Sequence, residues 1–422
     1  MWYAVITAYH IFSERGRTMH RVILHCDLNS FYASVELLSR PELRELPVAV
    51  CGDPDSRKGI ILAKNEPAKR YGVQTAETIW QARRKCPDLI LLPPHHKLYR
   101  DFSRIVNEIY GQYTDLVEPF GIDESWLDIT GSMHLFGGDA AAIAGGIRAR
   151  IRRELGLTLS VGVSFNKVFA KLGSDYKKPD ATTVIPPEDW QRIVWPLPVG
   201  AMLFAGPAAQ RALAQYGAVT IGDLAAMDAA LPERLLGKMG RQLWEYANGL
   251  DRSPVRPQHE KEPVKSVGNS FTFREDLTAR AQLRRGAAML CDSVAGRLRA
   301  QGLYCGAVAV GIKDPAFKSV SRQKHLPHST HLRGELLEAS MELIDKAWKP
   351  GSPVRLLSVT ALALTDSLET YEQTDLFAPQ REDGRRENLE RAVDAIRRKY
   401  GGKAISYGEA PDQVLHNGDG EE

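Results

Sequence analysis

The sequence predicts a multidomain α+β protein, and three observations support this prediction. Strand-like and helix-like segments alternate in the first half, which indicates a mixed sheet covered by helices on one face. Short helices broken by Pro and Gly follow, and then a polar, Pro-containing stretch that is typical of a linker. The last third has the order β-α-β-β-α-β, which is that of a ferredoxin-like unit.

The composition is that of an ordinary globular protein. The chain has 422 residues, of which 43% are hydrophobic and 25% are charged, so it can form about two to four domains. Apolar runs are far shorter than the roughly 20 residues that a membrane span needs. The five cysteines form no CxxC pair, which argues against a zinc site or a disulfide framework and favours the cytoplasm.

The charge is unevenly distributed along the chain. Residues 252–365 contain 18 Lys and Arg against 10 Asp and Glu, a surplus of eight, although the net charge of the whole chain is only +3. A basic module therefore follows an acidic one, as expected when a polyanion-binding domain is joined to a catalytic domain that bears carboxylates. A solvated basic face without a partner is the alternative.

The first-half elements follow from their patterns. RVILHCDL (21–28) is a short apolar run that ends in an acid, which predicts a buried strand. Apolar residues recur every three or four positions over 98–117, which predicts an amphipathic helix. After these we expect strand-like VEPFGIDESWLDIT, a helix through IAGGIRARIRREL, the strand TLSVGVS, and a helix that opens at Asn166.

The second-half elements begin after the short helices of 190–249 and the linker-like DRSPVRPQHEKEPVK. The pattern predicts strands at 265–274, 304–312, 318–325 and 354–364, and helices at 279–301 and 332–348. Beyond residue 366 the chain is polar, with one further predicted helix at 385–400. Residues 1–18 lack the features of a secretion signal, and we interpret them as an N-terminal extension.

Three acids are candidates for a metal site. Asp27 ends the first strand, and Asp123 with Glu124 follows another apolar segment. Three carboxylates at one sheet edge could hold two hard cations about 3.5 to 4 Å apart, an arrangement that serves phosphoryl transfer. Strand-end acids that face water or cap a turn are the alternative, and the spacing by itself does not separate the two readings.

Three long motifs occur in order and carry a family resemblance. They are CDLNSFYASVE, GIDESWLD and GVSFNKVFAKLGSDYKKPDATTVI. Together they resemble the Y-family DNA polymerases, of the DinB branch, over residues 21–364. The resemblance implies a right-hand fold with a ferredoxin-like palm (19–38 and 96–186), small fingers (39–95) and a thumb (187–249). A linker (250–265), a little finger (266–365) and a flexible tail (366–422) complete this implied organisation.

The resemblance assigns roles in the catalytic site. Asp27, Asp123 and Glu124 would bind two Mg²⁺ ions, aided by the backbone carbonyl of Leu28. Tyr32 would be the steric gate that blocks the 2′-hydroxyl of a ribonucleotide, with Phe31 packed behind it. Ordinary packing of two aromatic rings is the alternative for this pair.

Nucleotide binding would involve Lys178 and Lys69. Many relatives carry Tyr and Arg where this chain has Glu66 and Lys69, which puts the affinity for the triphosphate in doubt. Lys167 and Lys171 lie four residues apart on one predicted helical face. They are surface lysines in the alternative interpretation.

DNA binding would involve the thumb and the little finger. Gly237 and Gly240 match the G-x-x-G of a helix-hairpin-helix turn, whereas Pro207 and Ala208 replace the usual glycines of an earlier one. In KSVSRQKH, alternate residues would follow a DNA backbone along one face of a strand: Lys318, Arg322 and Lys324. A simple helix stop at Gly237 and a charged edge strand are the alternatives.

The tail contains EQTDLF, which resembles the peptide by which bacterial polymerases bind the sliding clamp, its beta subunit. Gln373 would bond at the pocket edge, and Leu376 with Phe377 would fill the pocket. A loop that tethers itself to its own domain is the alternative.

The resemblance implies a template-directed, low-fidelity, translesion DNA polymerase without proofreading. It would act as a monomer on primer-template DNA and deoxynucleoside triphosphates. Two rivals are a nucleotide cyclase, which would need no thumb or basic C-terminal domain, and a DNA-binding accessory protein recruited to the clamp. The three acids argue against the second rival.

Overall fold

A computed structural model describes residues 20–54, 59–260, 263–366 and 383–408 of the chain. It divides into two compact units, of which the first consists mainly of Ile60–Lys261 with the segment up to Gly52, and the second of Glu262–Gly420. Within the described ranges, no helix combines the length and the apolar character that crossing a membrane requires.

A five-stranded sheet organises the first unit. Its order is β5-β6-β1-β7-β8, and all neighbours are antiparallel except β7 and β8. The strands are β1 (Ile23–Leu28), β5 (Val117–Pro119), β6 (Glu124–Asp128), β7 (Leu159–Ser164) and β8 (Thr182–Ile185). Every residue of β1 is buried, as the apolar run predicts for a central strand.

Helices cover both faces of this sheet, so the expectation of cover on one face is wrong. On one face, α4 (His96–Tyr110) and α5 (Ala140–Leu155) pack against Leu24, Cys26 and Leu28. On the other face lies α6 (Lys167–Tyr176), whose Ala170 contacts Ile23 and Trp126. Glycine permits this close approach, because a Cβ on Gly162 would lie 1.9 Å from the carbonyl oxygen of Ala170.

Two predicted elements of the first unit differ from their patterns, and the start of a third agrees. The amphipathic helix ends at Tyr110 rather than near residue 117, because the chain turns at Gly111 and enters β5 at Val117. The strand-like 117–130 segment forms a hairpin of β5 and β6. The start of α6 is confirmed, since the Asn166 side chain caps it by accepting a bond from the amide of Phe169.

A small three-stranded sheet has the order β3-β2-β4. Its strands are β2 (Val48–Cys51), β3 (Ile61–Lys64) and β4 (Ile90–Leu92), and they pack with α2 (Glu66–Arg70) and α3 (Ile79–Lys85). Asn65 caps α2, and Thr78 forms a capping box with Gln81 at the start of α3. Helix α1 (Phe31–Glu36) follows β1.

Short helices around a separate core complete the first unit. They are α7 (Trp190–Val194), α8 (Pro207–Ala214), α9 (Ile221–Ala226), α10 (Ala230–Leu236) and α11 (Lys238–Ala247). Gly240 allows α10 and α11 to pack closely, since a Cβ there would lie 1.8 Å from the carbonyl oxygen of Pro232.

The second unit has the predicted β-α-β-β-α-β order. Its antiparallel sheet has the order β11-β10-β12-β9, and α12 and α13 pack against it. The elements are β9 (Val267–Leu277), α12 (Arg280–Ala300), β10 (Tyr304–Lys313), β11 (Ser319–Thr330), α13 (Arg333–Ala347) and β12 (Val354–Thr365). The α+β class is therefore confirmed.

One more helix, α14 (Asp383–Tyr400), docks on the second unit through charged residues. Glu390 and Asp394 pair with Arg299 of α12, and Arg397 pairs with Asp292, 2.8 Å away. Arg299 and Glu390 are both nearly buried, with side chains 5% and 9% exposed.

Candidate active site

Strands β1 and β6 bring the three predicted acids to one end of the sheet. Asp27 lies opposite Glu124 in the antiparallel register, and the amide of Leu28 donates to the carbonyl of Asp123 at 3.0 Å. Asp123 occupies the turn of the β5–β6 hairpin, directly before Glu124. Residues nearly a hundred positions apart in the sequence thus become neighbours.

A histidine that the sequence reasoning missed lies in the same cluster. His25, Asp27 and Glu124 each offer a ligand atom, and these atoms lie within 4.8 Å of one another. The His25 side chain is fully buried, with Nδ1 2.8 Å from Ser174 Oγ and Nε2 3.1 Å from Glu124 Oε2. The available signal was its position two residues before Asp27, which places both side chains on one face of β1.

Two lysines neutralise part of this negative charge. Lys178 Nζ lies 2.6 Å from Asp27 Oδ2 and 2.7 Å from Asp175 Oδ1. Lys171 of α6 pairs with Glu124. Lys167, one turn earlier, lies 2.7 Å from Glu118 and above the ring of Trp126, so it belongs to a different cluster.

The pKa values of the three acids differ because burial dominates at the two aspartates and hydrogen bonds dominate at Glu124. Desolvation raises the pKa of Asp27 to about 6, although Lys178 opposes this shift. Burial and the charge of Glu124 also raise the pKa of Asp123. Burial has the same tendency at Glu124, but hydrogen bonds from His25 and Lys171 outweigh it and lower the pKa to about 2. Keeping both Asp27 and Asp123 ionised here is therefore costly without a cation.

Tyr32 lies among aromatic rings at the start of α1. Its ring stacks on that of Tyr99, with centroids 4.0 Å apart, and meets His96 edge-on. Phe31 is buried behind it, 5.7 Å away between centroids. The Tyr99 hydroxyl donates to the buried Glu36 at 2.6 Å, which fixes the ring on which Tyr32 rests.

Glu66 and Lys69 are paired with each other. Lys69 Nζ lies 2.6 Å from Glu66 Oε1, within one turn of α2. The hydroxyl of Ser30, next to Phe31, donates to the same oxygen at 3.5 Å. Glu66 thus lies beside the start of α1 and offsets the charge of the lysine expected to bind phosphate.

The two turns that the sequence analysis singled out for DNA binding lie before α11 and before α8. Gly237 has φ +63° and ψ −148°, a conformation that suits glycine, and it precedes α11. Gly240 has the packing role described above. Pro207 and Ala208 lie in the first turn of α8, so the turn before that helix is formed by residues 203–206.

The three basic residues of the second unit that were predicted to bind DNA lie in or next to the edge strand β11. Lys318 directly precedes β11, and Arg322 is exposed. Lys324 is held by Glu342 of α13 at 2.6 Å. Gln373, Leu376 and Phe377 lie outside the residues that the structure describes, as do residues 1–18.

Comparisons with known proteins identify similar chains. Residues 26–175 match the impB/mucB/samB family, and residues 264–376 match the C-terminal domain of that family. The chain is 47% identical to DNA polymerase IV of Acetivibrio thermocellus, over 92% of this chain and 97% of that protein. It is 38% identical to DNA polymerase IV 1 of Bacillus subtilis, over 92% of each.

A solved structure has the same fold. The match with a Y-family DNA polymerase chimera covers 82% of this chain and 100% of the chimera's chain, with a TM-score of 0.71 and 21% identity. At this identity the likeness concerns the fold.

Proposed function

The chain belongs to the impB/mucB/samB family, and we propose that it is a DNA-directed DNA polymerase that extends a primer across damaged template bases, with low fidelity and no proofreading. The observation that carries this proposal is the meeting of Asp27, Asp123 and Glu124 at one end of the central strands. A merely DNA-binding accessory protein would gain nothing from gathering these acids, because burial raises the pKa of Asp27 and of Asp123 and so opposes their ionisation.

The acids fit divalent cations by the chemistry of their donor atoms. Carboxylate oxygens from Asp27, Asp123 and Glu124, with the backbone carbonyl of Leu28, are the hard ligands that Mg²⁺ prefers. Two such ions would activate the primer hydroxyl and stabilise the leaving pyrophosphate. His25 offers nitrogen, which suits Mg²⁺ poorly. Its Nδ1 is bonded to Ser174 and its Nε2 lies 3.1 Å from Glu124, so we assign it as a positioning residue beside that carboxylate.

The nucleotide would lie between the acids and α1. Tyr32 is held flat against Tyr99, so its ring has little freedom to yield to a 2′-hydroxyl. This supports its role as the steric gate. Lys178, 2.6 Å from Asp27, places a cation where the triphosphate must meet the acids. Lys69 would contribute less, since Glu66 already pairs with it.

DNA would contact the thumb at Gly237, beside the amides that open α11, and the second unit at Lys318, Arg322 and Lys324. We also propose that Gln373, Leu376 and Phe377 bind the sliding clamp. The support for this proposal is the sequence motif. Monomeric action in the cytoplasm completes the proposal.

The test is single-nucleotide primer extension on four templates that differ in the first unpaired base. The nucleotide added should follow the template base, require a divalent cation, and continue opposite an abasic site. Addition that ignores the template would contradict polymerase function. Tight binding of primer-template DNA without any addition would instead support the accessory-protein alternative.

A further inference from the structure

A buried carboxylate that the proposed mechanism does not use lies at the end of α1. Glu36 is the last residue of this helix, and three side chains approach its oxygens. The hydroxyl of Tyr99 donates to it at 2.6 Å, and the guanidinium of Arg40 donates at 3.1 Å. Nδ1 of His95 lies 2.7 Å away. A carboxylate with these partners is held in place, since charge-assisted hydrogen bonds are the strong ones and breaking them in a buried site is costly.

The ring of Tyr99 transmits this restraint to Tyr32. Tyr99 is fully buried, and its ring centroid lies 4.0 Å from that of Tyr32, with the two ring planes 15° apart. His96 meets both rings edge-on, with centroids 5.9 Å from each. Phe31 packs against both rings at a tilt. Displacement of the Tyr32 ring towards α4 therefore requires the Tyr99 ring to move as well.

Steric exclusion of a 2′-hydroxyl needs a ring that does not yield. Packed side chains relax in part when an extra atom is forced against them, so the strength of exclusion depends on what holds the ring from behind. Here the support ends in the charge-assisted bond from Tyr99 to Glu36. Burial, and the bond to Glu36 itself, raise the pKa of Tyr99 above its ordinary value, so the hydroxyl retains the proton that it donates.

We propose that Glu36 is a positioning residue that sets the sugar specificity of the polymerase, by anchoring Tyr99 behind the Tyr32 gate. This inference rests on the proposed function, in which Tyr32 meets the 2′ position of the incoming nucleotide. A role of Glu36 in stability by itself would lower the use of ribonucleotides and deoxynucleotides alike. Anchoring of the gate instead means that loss of the Tyr99–Glu36 bond changes the ratio between the two substrates.

The test measures kcat/KM for a ribonucleotide and for its deoxy counterpart in Tyr99→Phe and Glu36→Gln, each made alone and in combination with Tyr32→Ala. Tyr99→Phe keeps the stacked ring and removes its hydroxyl, whereas Glu36→Gln keeps the shape of the acceptor and removes its charge. Tyr110→Phe is the matched control, because it removes the hydroxyl of another buried tyrosine of α4, about three turns from Tyr99.

Both variants should raise the use of the ribonucleotide relative to the deoxynucleotide by about tenfold. Combined with Tyr32→Ala they should add nothing further, because the ring that the anchor supports is gone. Tyr110→Phe should leave the ratio unchanged.

An unchanged ratio in Tyr99→Phe, or a rise of the same size in the Tyr32→Ala background, would overturn the proposal. If Glu36→Gln does not fold, as its melting curve would show, Tyr99→Phe decides between these outcomes. A Tyr32→Ala variant with the same ratio as the wild type would instead contradict the proposed gate, and with it this inference.

Discussion

At the residue scale, the acids proposed to bind cations lower the stability of the fold. Asp27 is 8% exposed and borders Glu124, so its ionisation in the folded chain is unfavourable. Lys178 and Lys171 offset part of the cost. The remaining cost fits the proposed cation site, because carboxylates that were already fully paired would bind a cation weakly.

Replacing Asp27 by Asn should therefore stabilise the chain in the presence of a chelator. The pKa of Asp27 is raised from 3.8 to about 6, so the folded state binds its proton more tightly than the unfolded state does. Stability from this proton is present below about pH 4 and is lost as the pH rises through about 6. Chemical denaturation at pH 7.5 should show a gain of up to about 3 kcal/mol.

The gain from Asp27→Asn should vanish at pH 4. Asp101→Asn serves as control, since this exposed residue pairs with Lys97 on the surface and should change the free energy of unfolding by less than about 1 kcal/mol. A loss of stability in Asp27→Asn at pH 7.5 would show that its pairing with Lys178 outweighs desolvation.

Tyr32→Ala should raise ribonucleotide incorporation by about a hundredfold or more, because the ring that would meet the 2′-hydroxyl is removed; exclusion worth about 3 kcal/mol corresponds to this factor. The measurement is the ratio of kcat/KM for a ribonucleotide and its deoxy counterpart. Tyr71→Ala, which alters a tyrosine 56% exposed after α2, is the control. Unchanged sugar discrimination in Tyr32→Ala would reduce this residue to a packing role.

The sequence predicted some site residues and missed others for physical reasons. Asp27, Asp123 and Glu124 could be proposed as metal ligands because the motifs around them resemble those of a known family, whereas their position at strand ends left ordinary surface acids open as the alternative. The pairing of Lys171 with Glu124 could not, since it depends on how α6 crosses the sheet. The residues that form the turn before α8 were misplaced, because the left-handed conformation of Phe204 has no glycine to signal it.

At the element scale, the order of elements along the chain and the starts of helices were more predictable than the ends of elements. The short-period patterns located the strands of the second unit, where the β-α-β-β-α-β order holds. The end of α4 was overestimated, because Tyr113 continues the helical spacing beyond Gly111. The sequence analysis did not predict that a helix packs on the second face of the main sheet, because this packing depends on the contact between Gly162 and α6.

The docking of α14 yields a prediction for the second unit. Arg299 links α12 to Glu390 and Asp394, and it also donates to the carbonyl of His331. Arg299→Ala would remove the arginine that pairs with the buried Glu390 and leave it only the amide of Arg333, which should destabilise the protein by about 3 kcal/mol in chemical denaturation. Arg280→Ala is the matched control, because the pair of Arg280 with Asp345 is largely exposed and should contribute little to stability. Equal effects of the two variants would mean that α14 is not held by this pair.

At the scale of the whole molecule, the chain joins a carboxylate-bearing unit to a basic one, and the motif at residues 372–377 adds a proposed link to the replication machinery. The charge distribution predicted a basic module after an acidic one, but it cannot predict which partner the tail binds. Changing Gln373, Leu376 and Phe377 to Ala should abolish stimulation of primer extension by a loaded clamp. Extension without the clamp should remain unchanged.

Equal stimulation of the wild type and this triple variant would remove the clamp assignment. A variant that extends poorly even without the clamp would show that the segment acts within the polymerase itself, as a tether to its own domain.

The central claim is that Asp123 and Glu124, with Asp27, hold the cations that catalyse nucleotide addition. The most direct measurement is the rate of single-nucleotide addition at saturating DNA for Asp123→Asn and Glu124→Gln, with Asp101→Asn and Glu108→Gln of the exposed face of α4 as controls. We predict that both site variants lose about a thousandfold or more in rate, as expected when several kcal/mol of transition-state stabilisation are removed, while their affinity for primer-template DNA stays within about threefold of the wild type. Extension by either site variant at near wild-type rate would contradict the account.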